Sequence, residues 1–287
     1  MPTEERQFLG AHGHVIRYDV TTPQAEPRGV VVIVHGLGEH GRRYGHIVEA
    51  LVAAGFTVAV PDHLGHGRSD GKRLRVNSFA DYTGDIGTIL DAVQVKGLPT
   101  FLIGHSMGGC IALDYALDHQ DRLTGLVLSG PAVIPGSDMP PILIKLAPIL
   151  GRIVPGLPSK ALDAASISRD PKVVAAYDAD PLVVRSPIPA GLGGAMITTM
   201  QSFPARLPSL RLPLLVMHGG EDVLAEPDGS RLVDRLAGSS DKTLIIYDEL
   251  FHEIFNEPKR DTVITTTVDW LNKHANTAFA TAPNATR

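Results

Sequence analysis

Three features of the 287-residue sequence predict an α/β fold, with a mostly parallel central sheet covered by helices on both faces. Short apolar runs rich in β-branched residues recur along the chain, and longer helical patterns lie between them. The runs are apolar at every position rather than every second one, as strands buried on both faces must be. Strands alternating with helices in this way pair in parallel through right-handed crossovers.

Residues 8–20 read as one or two antiparallel edge strands. Val30-Val31-Val32-Ile33-Val34 is the first buried strand, and similar runs follow at 57–60, 100–103, 123–128, 212–217 and 243–247. Helices are expected near 44–54, 80–96, 107–118, 229–236 and 260–274. Ser78, with Asp81 three residues on, gives the second of these a capping-box start. One segment breaks the alternation: 13 of the 22 prolines fall within residues 131–208, where strand signals vanish. Short helices broken by proline fit that stretch better than more sheet. The expected organisation is a core over 1–130, a helical cap over 131–208, a second core portion over 209–276 and a flexible tail over 277–287. Within the cap, residues 142–154 are apolar almost all round. Lys145 and Arg152 would share one polar stripe if the helix ran through Pro148. The segment either packs on the core or forms a partly exposed apolar lip that meets lipid or a lipid-like substrate. Asn284-Ala285-Thr286 matches a glycosylation sequon by chance.

Apolar residues make up 44% and charged residues 20%, which excludes wholesale disorder. With 26 Lys and Arg against 31 Asp and Glu, the net charge of −5 argues against nucleic-acid binding, and so do the sparse aromatics at 5%. A single cysteine, Cys110, excludes an internal disulfide and any cysteine metal cluster. It reads as a small buried residue. The polar, acidic N-terminus carries no classical secretory signal, and the longest apolar stretch, 140–158, holds Lys145, Arg152 and five prolines, so it does not span a membrane. A cytoplasmic or peripherally membrane-associated location is expected. Oligomeric state leaves no mark in the sequence.

Gly104-His105-Ser106-Met107-Gly108 follows one predicted strand and opens a helix. A serine on such a sharp turn has its hydroxyl exposed at the C-terminal edge of the sheet. The glycines two residues to either side leave room for the turn. A serine hydroxyl attacks only when a base removes its proton, and in this layout the order is Ser, acid, His. Of 12 histidines, His252 lies on the loop after the last strand, at the same sheet edge as Ser106. His274 lies in the terminal helix, His105 in the turn itself, and His119 points to the wrong side. For the acid, Asp222 follows the strand over 212–217 by a few residues, and its short side chain holds one geometry. The adjacent Glu221 is the alternative. Backbone donors for an oxyanion are expected at Met107, after the nucleophile, and at Leu37, in the turn after the first buried strand. His35 braces that turn. His63 and His66 have metal-like spacing but lack nearby carboxylates and make a poor metal site. Their loop instead holds Arg68 and Ser69 in a hydrogen-bonded turn.

His35-Gly36-Leu37-Gly38-Glu39-His40, Pro61-Asp62-His63-Leu64-Gly65-His66-Gly67-Arg68-Ser69, Gly104-His105-Ser106-Met107-Gly108-Gly109 and His218-Gly219-Gly220-Glu221-Asp222 together resemble the monoacylglycerol lipase group of α/β-hydrolases. The likeness runs from about residue 28 to 274 and is weakest in the cap. It implies a Ser106–Asp222–His252 triad, oxyanion amides at Leu37 and Met107, a mobile cap admitting single-chain glycerides, and no cofactor or metal. It also implies that Glu39 and Arg43 lie near the polar glycerol end of the pocket, a surface ion pair being the alternative. Family members carry a further polar residue three positions after the catalytic histidine, where Phe255 stands here. The expected activity is hydrolysis of monoacylglycerols through an acyl-serine, falling below about pH 6.5 as the base protonates. Lysophospholipase, thioesterase or general carboxylesterase activity on the same triad is the alternative, followed by a non-catalytic small-molecule-binding protein.

Overall fold

The computed structural model describes residues 1–76 and 78–281. Eight strands form one sheet: β1 (Thr3–Leu9), β2 (Val15–Thr21), β3 (Gly29–Val34), β4 (Phe56–Pro61), β5 (Thr100–His105), β6 (Gly125–Ser129), β7 (Leu214–Gly219) and β8 (Lys242–Tyr247). Their order is β1-β2-β4-β3-β5-β6-β7-β8. The first two strands pair antiparallel with each other, and β2 pairs antiparallel with β4; every pairing from β4 to β8 is parallel. The N-terminal stretch is therefore two edge strands. Successive crossovers leave β3 in opposite directions, to β4 on one side and β5 on the other, which opens a crevice at the C-terminal ends of β3 and β5.

Every residue of β3, β4, β5 and β7 is buried, as their unbroken apolar runs require. The period of two then sorts side chains onto two cores. Val30, Val32, Val34, Leu102 and Leu128 face α2 (Phe79–Val93) and α3 (Met107–Asp118). Val31, Ile33, Phe101, Ile103 and Val127 face α1 (Gly45–Ala53) and α8 (Arg260–Thr281). Ser78 caps α2 by accepting from Ala80 N at 3.2 Å, while Asp81 accepts from Ser78 N at 3.3 Å. The terminal helix continues to Thr281, so the first residues of the tail expected from 277 are helical; the sequon at Asn284 lies outside the described residues.

Between β6 and β7 the chain makes α4 (Pro141–Ile153), α5 (Pro171–Ala179) and α6 (Ala190–Arg206), and α7 (Pro227–Leu236) follows β7. Proline does not cut these helices as short as expected, because α4 runs through Pro148 and α6 through Pro204. The two helices cross where side chains are smallest. A Cβ on Gly151 would lie 2.6 Å from Ala190 O, and one on Gly194 would lie 2.5 Å from Ala147 O. Met200 and Phe203 of α6 join the core beneath, whereas α4 buries only Gly151 and leaves Ile142, Ile149 and Ile153 exposed. The segment thus packs on α6 through its small residues and leaves its large apolar side chains exposed. Among the described residues no helix is long and apolar enough to cross a membrane.

Candidate active site

The turn between β5 and α3 is built by its neighbours' lack of side chains. Ser106 holds φ 55° and ψ −121°, a conformation L-residues seldom adopt and that persists only where the surroundings enforce it. A Cβ on Gly108 would lie 2.0 Å from Val34 O, and one on Gly104 would lie 2.5 Å from Gly108 O. The helix start is thus pressed against the end of β3. Ser106 occupies the N-cap of α3, yet its hydroxyl makes no capping bond. Among the described residues that hydroxyl is left without a hydrogen bond, at a positive helix terminus.

His252 follows β8 on the same edge. Its Nδ1 stands 2.7 Å from Asp222 Oδ2. Since an ionised carboxylate only accepts, Nδ1 carries the proton and Nε2 is left as the base. The imidazole is buried between the His105 ring, 4.7 Å away, and Gly130, where a Cβ would lie 3.4 Å from Nδ1. Gly130 has φ 50° and follows β6, so its missing side chain makes the space in which His252 meets Asp222. Burial lowers the pKa of His252, but the Asp222 carboxylate, with Glu253 and Glu39, outweighs it and raises the value above the ordinary one. Burial and the neighbouring His252 push His105 down to about 3, so it is a neutral wall.

Asp222, rather than Glu221, faces the imidazole; Glu221 is exposed. Burial would raise the Asp222 pKa, but the neighbouring His252 and His218 hold it far below the carboxylate range. Oδ1 accepts from Leu224 N at 2.8 Å and Ala225 N at 3.0 Å, locking the carboxylate's rotation.

The turn after β3 lies beside Ser106. A Cβ on Gly36 would be 3.2 Å from Ser106 Cβ. Gly36 N donates to Glu39 Oε1 at 2.7 Å, and Gly38, at φ 76°, accepts from Val184 N of the insertion at 2.7 Å. The N–H groups of Leu37 and Met107 donate to no described residue, so two free amides flank the serine. His35 braces the turn from below, with Nδ1 2.7 Å from Gly36 O and Nε2 accepting from His63 N at 3.0 Å. The His63 and His66 rings face His35 and Tyr82. Asp62 anchors their loop through Gly41 N, Arg68 N and Arg68 Nε, and Ser69 Oγ donates to Asp62 O at 2.6 Å.

Glu39 and Arg43 do not form the surface ion pair given as the alternative, for both side chains are buried. Arg43 Nη1 lies 2.6 Å from both Glu39 Oε2 and Glu253 Oε1, and Nη2 lies 2.7 Å from Glu253 Oε2. Glu39 Oε1 also accepts from Tyr44 Oη. The Tyr177 ring covers the guanidinium at 4.8 Å. A buried guanidinium needs compensating carboxylates, and these two consume its fork. Burial acts against the charge, yet Glu39 and Glu253 raise the Arg43 pKa. The clamp joins the turn after β3 to the residue following His252, and Glu253 N donates onward to Ile167 O of the insertion at 2.8 Å. Glu253, His105, Gly130 and His218 are the neighbours that sequence reasoning missed. Phe255 is buried, and its carbonyl accepts from His46.

Fold and edge chemistry together define a carboxylic ester hydrolase of the α/β-hydrolase class. A family model described as "Serine aminopeptidase, S33" matches residues 25–259. A monoacylglycerol lipase of Mycolicibacterium smegmatis is 44% identical over 94% of this chain and 97% of its own. Human monoglyceride lipase is 31% identical over 96% and 93% respectively. The crystal structure of Paleococcus ferrophilus monoacylglycerol lipase superposes with a TM-score of 0.82 at 35% identity, covering 96% of this chain and all of that one. The chain belongs to the monoacylglycerol lipase family of α/β-hydrolases.

Proposed function

We propose that this enzyme hydrolyses monoacylglycerols to glycerol and fatty acid, with Ser106 as nucleophile, His252 as general base and acid, and Asp222 as the orienting carboxylate. The observation that carries the reading is the Asp222–His252 hydrogen bond at 2.7 Å, on the same sheet edge as a strained serine whose hydroxyl caps nothing. Ser106 Oγ attacks the ester carbonyl carbon while His252 Nε2 takes its proton. The oxyanion is held by the amides of Leu37 and Met107. As the acyl carbon–glycerol oxygen bond breaks, the imidazolium returns the proton to the glycerol oxygen. Water, deprotonated by the same nitrogen, then releases the fatty acid from acyl-Ser106 and restores the hydroxyl.

A single acyl chain suits the apolar surroundings. Leu162, Val184, Ile188 and Met196 of the insertion are partly buried against the cluster that holds Leu37 and Met107. Residues 131–208 act in this reading as a cap, and the exposed face of α4, flanked by Lys145 and Arg152, as its contact with a lipid surface. Glu39 and Arg43 serve as a brace.

The test is release of fatty acid from monoolein, with triolein and a lysophospholipid in parallel, by the wild type and Ser106→Ala. Monoolein cleavage that the substitution abolishes, with little triolein cleavage, is the expected result. Labelling of Ser106 by a fluorophosphonate without cleavage of any of the three would keep the nucleophile and overturn the substrate.

A further inference from the structure

His218, the penultimate residue of β7, has no part in the proton transfers described above, yet it is wholly buried and points at the acid. Its Nε2 lies 3.0 Å from Asp222 Oδ2 and 3.0 Å from Ala225 O. Both partners only accept, so Nε2 carries a proton. Its Nδ1 lies 2.7 Å from Ser230 Oγ in the first turn of α7, and that hydroxyl donates to it. A chain of polar contacts therefore runs from Ser230 through His218 to Asp222, where it meets the bond from His252 on the same carboxylate oxygen.

We propose that His218 is a positioning residue for the esterase reaction, sharing Asp222 Oδ2 with His252 and so setting the basicity of that imidazole. This rests on the assignment of Asp222, His252 and Ser106 made above. A carboxylate oxygen that already accepts one N–H offers less electron density to a second. His252, once protonated, is then held firmly enough to accept the serine proton and loosely enough to pass it to the leaving glycerol. The Ala225 contact gives His218 a second task, closing the loop over 219–225, and the two tasks are separable by pH.

The remaining charged groups facing His252 are Glu253 and Glu39, with Arg43 clasped between them, and the neutral His105 ring packs on its face. Asp222 itself faces His252 and His218. Glu253, Glu39, Arg43 and His105 make no contact with His218, so a shift in the pH profile reports the change at Asp222.

The experiment is a pH-stat profile of kcat/KM and kcat on soluble monobutyrin for wild type, His218→Leu, His218→Gln, Ser230→Ala, Asp222→Asn and Ser106→Ala, with thermal unfolding of each. His218→Leu frees Oδ2 for His252, so its acid limb is expected about half a pH unit higher, with kcat about tenfold lower and KM unchanged. His218→Gln keeps an N–H near Asp222 and should restore the wild-type limb. Ser230→Ala weakens the donor without removing it and should move the limb the same way by less; it decides the matter if His218→Leu does not fold. Acid limbs superimposable on wild type for His218→Leu and Ser230→Ala, with only Tm reduced, would overturn the proposal and leave His218 a loop-closing residue. Persisting activity in Ser106→Ala or Asp222→Asn would instead overturn the assignment beneath it.

Discussion

His252 is pulled two ways, and the balance sets the working pH. Burial favours the neutral imidazole, while the hydrogen-bonded Asp222 and the nearby Glu253 and Glu39 favour the cation and prevail. In the proposed mechanism the imidazole must be neutral to accept the Ser106 proton, so activity should fall as pH drops through a value above the ordinary 6.5 or so, not below it. A kcat/KM profile on monobutyrin checks this, and a limb at pH 5 would contradict it. The same raised pKa means that folding stability from this residue is present below about pH 6.5 and is lost as pH rises through the folded value. Asp222→Asn removes the charge and the tautomer control together. It should cost about 10⁴-fold in kcat with the fold intact, as measured by fatty-acid release beside thermal unfolding.

At the scale of elements, the site is a junction of strand ends held by close backbone contacts. Gly108 sits where the start of α3 touches β3, and a methyl group there would meet Val34 O at 2.0 Å. Gly108→Ala should therefore displace the turn carrying Ser106. The expected losses are about 3 kcal/mol in unfolding free energy and most of the activity, read by denaturant titration and fluorophosphonate labelling. The Arg43 clamp ties the turn after β3 to the loop after β8. Removing the guanidinium strands two buried carboxylates, so Arg43→Ala should destabilise the fold by about 3–5 kcal/mol. A surface ion pair would have cost well under 1 kcal/mol, so denaturant titration separates the two.

For the whole molecule, the open apolar surface belongs to the segment between β6 and β7. The insertion keeps its polar business with the core and turns Ile142, Leu143, Leu146, Ile149 and Ile153 outward on one face of α4. Ile149→Glu combined with Ile153→Glu should weaken binding to phosphatidylcholine vesicles by roughly tenfold or more. Hydrolysis of soluble monobutyrin should be unaffected, because α4 meets the rest of the protein through Gly151 and Ala147 rather than through these side chains. Cosedimentation with vesicles measures the first effect, and unchanged binding would remove the lipid-contact role of α4.

How much of this was legible depended on whether the signal is local. Continuous apolar runs announced β3 to β7 because a strand buried on both faces needs an apolar residue at every position. The spacing of Gly104, Ser106 and Gly108 announced the turn because its backbone admits little else. The order Ser, acid, His along alternating strands and helices brought Asp222 and His252 to one edge without coordinates. Other facts exist only between distant segments. For Glu39 and Arg43 the sequence left a place near the glycerol end of the pocket and a surface pair both open, and only the approach of Glu253, 210 residues beyond Arg43, makes them part of a buried clamp. His218 stands in a motif beside the acid, but its role follows from Ser230 and Asp222 meeting it on opposite ring nitrogens. The apolar segment over α4 was compatible with burial or exposure, since hydrophobicity alone does not say what covers a helix. The sequence by itself thus determined the strands, the turn and the residue types of the chemistry, because each answers to steric rules a few residues long. The tertiary structure alone decided which charges are compensated and which apolar face stays open, because burial and pairing belong to neighbours in space.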